Sequence, residues 1–298
     1  MTDGAADRAT TVFVAHRNLL FTVAYEMLGS AADAEDVLQE TWLRWSAVDL
    51  GQVRDERAYL VRITTRQALN RLRTLSRRRE SYVGPWLPEP LLTAPDVADD
   101  VELAESVSMA LMLVLETLAP IERAVFVLRE VFDLGYDEIA AAVGKAPAAV
   151  RQIAHRARRG VEARRPRETP APAEVRAALA SFQRAVDTGD LQGLLDVLSP
   201  EVVLVSDGGG LRQAARKPIL GAEKVLRFFA GILAKAPGPV TSEQTQVNGA
   251  PGLLFRIGGE LDGVLAVRLD GSLVAGIYYV RNPEKLHRVG TEAELRLG

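Results

Sequence analysis

Two runs of arginine are the features of this 298-residue chain most able to do chemistry. Between Arg44 and Arg79 ten arginines stand against three acids, Asp49, Asp55 and Glu56, and from Arg151 to Arg167 seven stand against Glu162 alone. The net charge is only −3, so any attraction for nucleic acid has to come from these clusters rather than from a uniformly basic surface. In the first run Arg62, Arg66, Asn70, Arg73 and Arg77 recur at helical steps and share one face, with Tyr59, Trp42 and Trp45 near its start. Guanidinium groups can track a phosphate backbone while rings stack on unpaired bases, a combination suited to single-stranded DNA. Each tryptophan taken alone fits a core position better than a base-stacking one.

The second run follows a helix-turn-helix spacing, with Ala140 where two helices approach, Gly144 at the turn, and Val150 and Ile153 behind it to fill the core. From Pro147, which is tolerated in a first helical turn, the next helix divides into two faces. Val150, Ala154, Ala157 and Val161 point inward; Ala148, Arg151, Gln152, His155 and Arg159 point outward. Arginine and glutamine can make paired hydrogen bonds to guanine and adenine edges in the major groove, and Arg156, Arg158, Arg164 and Arg165 can neutralise phosphates. The plainer reading of either run is a solvated basic helix face.

The elements that must hold these residues follow from periodicity. Residues 1–80 read as a three-helix bundle, its first helix carrying Val12, Phe13, His16, Leu19, Leu20, Val23, Met27 and Leu28 at three- and four-residue steps, with Gly29-Ser30 separating it from the second. Residues 81–107, rich in proline and ending in an acidic run, read as a linker. Helical phase returns over 108–168 with breaks near Pro120, Leu134-Gly135 and Gly144, which predicts a second bundle. After the proline-rich RPRETPAPAE the pattern over 169–298 becomes αα-β-α-ββββ, with Asp270-Gly271 as a hairpin turn, and predicts helices on one face of a curved antiparallel sheet. The fold class expected is therefore two all-α domains followed by an α+β domain.

With no cysteine and three scattered histidines, His16, His155 and His287, the chain offers neither a disulfide framework nor a thiolate zinc site, and no cofactor is expected. The polar start MTDGAADRATT is unlike a signal peptide, and the apolar stretch from Met109 to Leu118 is broken by Glu116, so a cytoplasmic protein without a membrane partner is expected.

The stretches SAADAEDVLQETWLRW and RAYLVRITTRQALNRLR, followed by LGYDEIAAAVGKAPAAVRQIAHRARRGVEA, resemble the DNA- and polymerase-binding regions of the extracytoplasmic-function sigma factors of the sigma-70 family, group IV. The resemblance implies a sigma2 helical bundle and a sigma4 helix-turn-helix, with Asp36, Gln39, Glu40 and Leu43 docking on core RNA polymerase. It also implies that the basic face of the first bundle melts and reads the minus-ten element, and that the recognition helix reads the minus-thirty-five element of promoter DNA. WLPEP (Trp86, Leu87, Pro88, Glu89, Pro90), DGGG (Asp207, Gly208, Gly209, Gly210) and NPEKL (Asn282, Pro283, Lys285 and Leu286 among them) are similar to marks of the subgroup fused to a SnoaL-like domain of the NTF2-like cone fold. In that subgroup the extra domain contacts the sigma core and its linker and modulates activity in cis.

The third domain leaves rivals open. Asp207 beside three glycines could be a pocket base of the kind NTF2-like isomerases use, or the domain could bind an unidentified small ligand. The expected function is a sigma factor with no chemistry of its own. The alternatives are a ligand-sensing helix-turn-helix regulator and a SnoaL-like enzyme with a DNA-binding appendage. A Trp-Leu pair between prolines is an apolar anchor that needs a receiving surface, and the DGGG and NPEKL segments are the expected receivers. Trimming the tail beyond Leu286 is expected to do less than removing the whole third domain.

Overall fold

Gly29 and Ser30 separate the first two helices by different chemistry. Gly29 takes the left-handed region at φ 68° and closes on the Tyr25 carbonyl at 2.7 Å, while Ser30 Oγ accepts from the Asp33 N–H at 3.2 Å as an N-cap. The computed structural model describes residues 3–79, 81–94, 101–164, 170–290, 292–293 and 295–296, with side chains at all of these but 3–6, 76–79, 101–102 and 292. Two compact units result: residues 1–80 with 111–165 and 294–298, and residues 81–110 with 166–293.

In the helical unit α1 (Asp3–Leu28), α2 (Ala31–Trp45) and α3 (Glu56–Arg79) bury Leu20, Val23, Met27, Val37, Leu38, Leu60 and Ala68. Proline at the first position of α6 (Pro120–Phe126) costs no hydrogen bond. That helix loosens into a π-turn at Val127–Val131, after which Asp133 sits at φ 46°. The helix-turn-helix pair is α7 (Tyr136–Val143) and α8 (Pro147–Glu162), with Gly144 at φ 68° ending α7. Leu295 is buried in this unit and the Arg296 N–H donates to the buried Thr22 Oγ1 at 3.1 Å.

The second unit begins with the segment read as a linker, which is no free connector: it supplies β1 (Leu92–Thr93) and α4 (Val101–Ser106), while α5 (Met109–Leu115) falls mostly in the helical unit. The rest is α9 (Pro172–Thr188), α10 (Leu191–Val197), β2 (Leu198–Asp207), β3 (Ile219–Leu220), α11 (Ala222–Leu233), β4 (Val240–Val247), β5 (Ala250–Ile257), β6 (Glu260–Asp270), β7 (Leu273–Val280), α12 (Pro283–Leu286) and β8 (Glu292–Ala293). Among the described residues the strands form one sheet in the order β3-β2-β7-β6-β5-β4-β1-β8. The sheet is mixed rather than antiparallel throughout, because β2 runs parallel to β7 with Leu204 opposite Ile277, a pairing that a long crossover permits. Leu179, Phe182, Val225 and Phe229 of the helices pack on Leu204, Leu253, Leu265 and Ile277 of one sheet face. This is an α+β arrangement with helices on one face of a mixed sheet.

Candidate nucleic-acid and polymerase interfaces and the linker dock

The recognition helix α8 owes its two faces to the 3.6-residue period. Val150, Ile153, Ala154, Ala157 and Val161 are buried, and Ala148, Arg151, Gln152, His155, Arg156, Arg158 and Arg159 are exposed. Two of the arginines are engaged within the protein. Arg158 forms a fork with Glu130 at 2.6 and 3.0 Å, which raises its pKa, and Arg156 reaches Glu122 at 3.4 Å. Arg151 lies 5.9 Å from the centre of the Tyr136 ring, which also takes the Arg129 guanidinium at 5.1 Å. The base-edge candidates therefore project from a helix braced to the elements before it. Arg164 donates to the Gly160 carbonyl, and Arg165 lies outside the described residues.

On α2 the candidate polymerase row Asp36, Gln39, Glu40 and Leu43 is exposed along one face, with Leu43 68% exposed. Arg71 of α3 joins Asp33 at 2.6 Å and Asp36 at 2.9 Å. Partial burial works against its charge, but Asp33, Asp36 and Glu40 together raise its pKa above the usual value. Beside this row a groove of about 610 Å³ is lined by Leu43, Arg44, Tyr59, Ile63, Arg66 and Asn70 among others. Arg62 stacks over Tyr59 at 4.5 Å, and Arg73 donates to Asn70 at 3.3 Å. Trp45 is a correction. It is fully buried, donates from Nε1 to the Ala9 carbonyl at 2.9 Å and packs on Tyr59, so its ring has no face for a base. Arg66 donates to the Ala141 and Ala142 carbonyls at 2.8 and 3.3 Å. The Arg77 side chain lies outside the described residues.

The third constellation centres on Asp207, which has no exposed surface. Its carboxylate accepts from the Tyr82 hydroxyl at 2.6 Å, the Leu87 N–H at 2.9 Å, the Gly209 N–H at 3.0 Å and Lys285 Nζ at 2.7 Å. Lys285 also donates to the Leu87 carbonyl and lies 4.1 Å over the Trp86 ring. Burial and the neighbouring Asp207 carboxylate raise the Tyr82 pKa, keeping that hydroxyl a donor. Asn282 caps α12, accepting from the Glu284 N–H at 3.0 Å, and donates to the Tyr82 hydroxyl at 2.9 Å. Pro283 takes the first position of that helix and Leu286 is buried at its end. Leu87, Pro88, Glu89 and Pro90 are all buried.

The glycines of DGGG are required by close approach. A Cβ on Gly208 would overlap the Arg212 carbonyl, one on Gly209 would overlap the Asn282 side chain, and one on Gly210 would press on Val83 at 3.3 Å. A carboxylate held by four donors inside a packed segment has no free lone pair directed at a substrate, so Asp207 is not placed as a pocket base. Sequence reasoning missed Tyr82 and Asn248. Asn248 is fully buried at φ 54° in the β4–β5 turn; it exchanges hydrogen bonds with Leu91 at 2.9 and 3.1 Å and donates to the Val107 carbonyl at 3.0 Å. The Asn-Gly pair between two strand-like runs was its signal. Nothing at Tyr82 marked it.

Aromatic side chains occupy the space between the helices and the sheet near Phe229, and a second pocket of about 220 Å³ is lined by Arg212, Gln213, Glu260, Asp262 and Arg281 among others. Phe182, Phe229, Phe255 and Tyr279 stack through one another at 5.7, 6.1 and 5.7 Å and leave a cavity of about 10 Å³, little more than one water needs. The Tyr279 hydroxyl donates to Asp262, which is closed off by a two-pronged pair with the buried Arg281.

Comparison with known proteins gives two family matches in the first 160 residues. The Sigma-70 region 2 family model matches residues 12–78 and the Sigma-70, region 4 model matches residues 108–159. The chain is similar to the ECF RNA polymerase sigma factor SigJ of Mycobacterium tuberculosis, 36% identical over 92% of this chain and 91% of that one. It is also similar to the probable ECF RNA polymerase sigma factor SigI of the same organism, 34% identical over 96% of this chain and 97% of that one. The crystal structure of the M. tuberculosis SigJ protein superposes with a TM-score of 0.75 at 31% identity, covering 93% of this chain and 98% of that one.

Proposed function

The chain belongs to the extracytoplasmic-function RNA polymerase sigma factors, and from that premise we propose how it meets polymerase and promoter and how its third domain tunes the encounter. It is not an enzyme. The Asp36, Gln39, Glu40 and Leu43 row of α2 docks on core polymerase. The neighbouring α3 face, with Tyr59, Arg62, Arg66, Asn70 and Arg73 beside the groove, takes the melted minus-ten strand, where rings and guanidinium groups act together. Helix α8 reads the minus-thirty-five duplex through Arg151 and Gln152, with His155 and Arg159 alongside. No described helix is long and apolar enough to cross a membrane, and we place the action in the cytoplasm with polymerase and DNA.

The observation that carries this reading is the separation of faces: in one helical unit, apolar residues are buried while an acidic row, a cationic face and a base-reading face stay exposed on different helices. The four donors that surround the Asp207 carboxylate speak against its use as a base by a SnoaL-like enzyme. The third domain instead acts in cis by holding the Trp86–Pro90 segment. Undocked, the thirty residues 81–110 could extend to about 100 Å. Docked, they are a fixed tether between the two DNA-reading helices, so docking biases which promoter spacings are reached. Polymerase binding is tested by pull-down with core enzyme: the Asp36→Arg/Gln39→Arg double variant should lose association while keeping its circular dichroism, and unchanged binding by the folded variant would overturn the docking row.

A further inference from the structure

Ile257 of β5 pairs with Glu260 of β6, and Val280 of β7 lies opposite both Val264 and Asp207, so the β5–β6 turn and the last residues of β2 and β7 lie together at one end of the sheet. The pocket of about 220 Å³ opens there. Ile232, Ala236, Ile257 and Leu261 give it an apolar wall, buried Asp262 and Arg281 form its floor, and exposed Arg212, Lys235 and Glu260 stand at its rim. Asp262 is fully engaged, its carboxylate accepting two bonds from Arg281 and one from the Tyr279 hydroxyl. Arg281 is not. Its Nε–H and one Nη2–H go to Asp262 and one Nη1–H goes to the Gln213 carbonyl, which leaves, among the described residues, one N–H on Nη1 and one on Nη2. A pair of uncommitted donors on a guanidinium with 8% of its side chain exposed suits a planar anion. With the Asp262–Arg281 pair neutral, Arg212 and Lys235 outnumber Glu260 at the rim, so the local charge favours an anion as well.

We propose that this pocket binds a small organic carboxylate with a short apolar body, and that its occupancy holds the linker dock closed. The carboxylate lies on the Arg281 donors between Arg212 and Lys235, and the body lies on Ile232, Ile257 and Leu261. Inorganic phosphate offers nothing to that wall, and an alcohol offers no charge to the donors. The route to the dock is short. The Arg281 N–H donates to the Asp207 carbonyl at 2.7 Å, and the Arg212 N–H donates to the Gly208 carbonyl at 3.0 Å. Asn282, the next residue along, fills the space beside Gly209 and donates to the Tyr82 hydroxyl at 2.9 Å. A ligand that fixes Arg281 and residues 212–213 therefore restrains the two segments that hold Asp207 and Tyr82, and shifts the linker toward its docked position. The effect on promoter use rests on the reading of the docked linker as the control in cis; binding does not.

Hexanoate is the probe, titrated into the full-length chain and followed by nuclear magnetic resonance of the ligand, with hexanol and inorganic phosphate alongside; a molecule of this size binds at about millimolar strength. Hexanoate should bind about tenfold more tightly than either of the others. The Arg212→Glu/Lys235→Glu double variant changes two exposed positions and should weaken hexanoate about tenfold. Arg281→Gln should abolish binding, with circular dichroism recorded because that residue belongs to a buried ion pair. Hydrogen–deuterium exchange over residues 81–94 should slow at saturating hexanoate. Absence of binding, equal binding of phosphate or hexanol, or binding that survives both sets of substitutions would overturn the site. Binding with unchanged exchange over 81–94 would overturn its link to the dock. If hexanoate binds and slows that exchange yet leaves run-off transcription unaltered, the site stands and it is the control in cis that fails.

Discussion

Asp207 and Asp36 are both aspartates with a basic partner, and they illustrate two uses of charge in one chain. Asp207 is inaccessible to water, satisfied by four donors and paired with Lys285. The Asp36 side chain is 54% exposed and shares Arg71 with Asp33. The buried carboxylate fixes where a segment lies, because no competing water can replace its donors. The exposed one is weakly held and available to a partner. Buried charge therefore sets conformation in the second unit, while exposed charge does the recognising in the helical unit.

The largest effect should come from breaking the buried member. Asp207→Ala leaves Lys285 without its carboxylate and the Tyr82 hydroxyl and Leu87 N–H without an acceptor, a loss of about 3–5 kcal/mol. Denaturant unfolding of the full chain should show that loss, and limited proteolysis should open the 81–94 segment; a change under about 1 kcal/mol, the range of exposed pairs, would erase the distinction between the two aspartates.

Next in size are the readout residues of α8. Arg151→Ala and Gln152→Ala should each lose about 1–3 kcal/mol of binding at one base position, whereas Arg159→Ala should weaken all sequences alike and flatten the salt dependence. Promoter variants measured at two salt concentrations separate these patterns, and a uniform loss for all three would leave only backbone binding. The smallest effects belong to the exposed pairs. Arg158→Ala breaks the fork to Glu130, an exposed brace of about 0.2–1 kcal/mol, and should lower thermal stability slightly while leaving the salt slope nearly unchanged. A full unit lost from that slope would return Arg158 to the phosphate contacts.

What could be read from the sequence was periodic. The buried and exposed faces of α8 follow from spacing alone, as does the αα-β-α-ββββ order of the second unit's longer elements, because burial imposes a repeat on consecutive residues; the short β1, β3, α12 and β8 carry too few residues to show one. Pairing over long separations leaves no such mark. Arg66 meets residues 75 and 76 positions away and Arg158 meets Glu130 across 28, so their residue types suggested DNA while their partners were hidden. Trp45 shows the same limit: an indole near a basic face reads as a stacking platform, and only the Ala9 carbonyl 36 residues earlier makes it core. The parallel β2–β7 pair and the burial of Leu295 also depend on segments far apart in the sequence. Trp86, Asp207 and Lys285 were legible as unusual residues, and their meeting at the Lys285 ammonium was not.

Run-off transcription by core polymerase with the full-length chain tests most directly whether the docked linker is what lets the third domain influence promoter use. Trp86 and Asp207 meet at Lys285, so each of Trp86→Ala and Asp207→Ala should shift output in the same direction, and the double variant should fall well short of the sum of the logarithmic effects. Strictly additive effects, or a silent Trp86→Ala beside a strong Asp207→Ala, would contradict it.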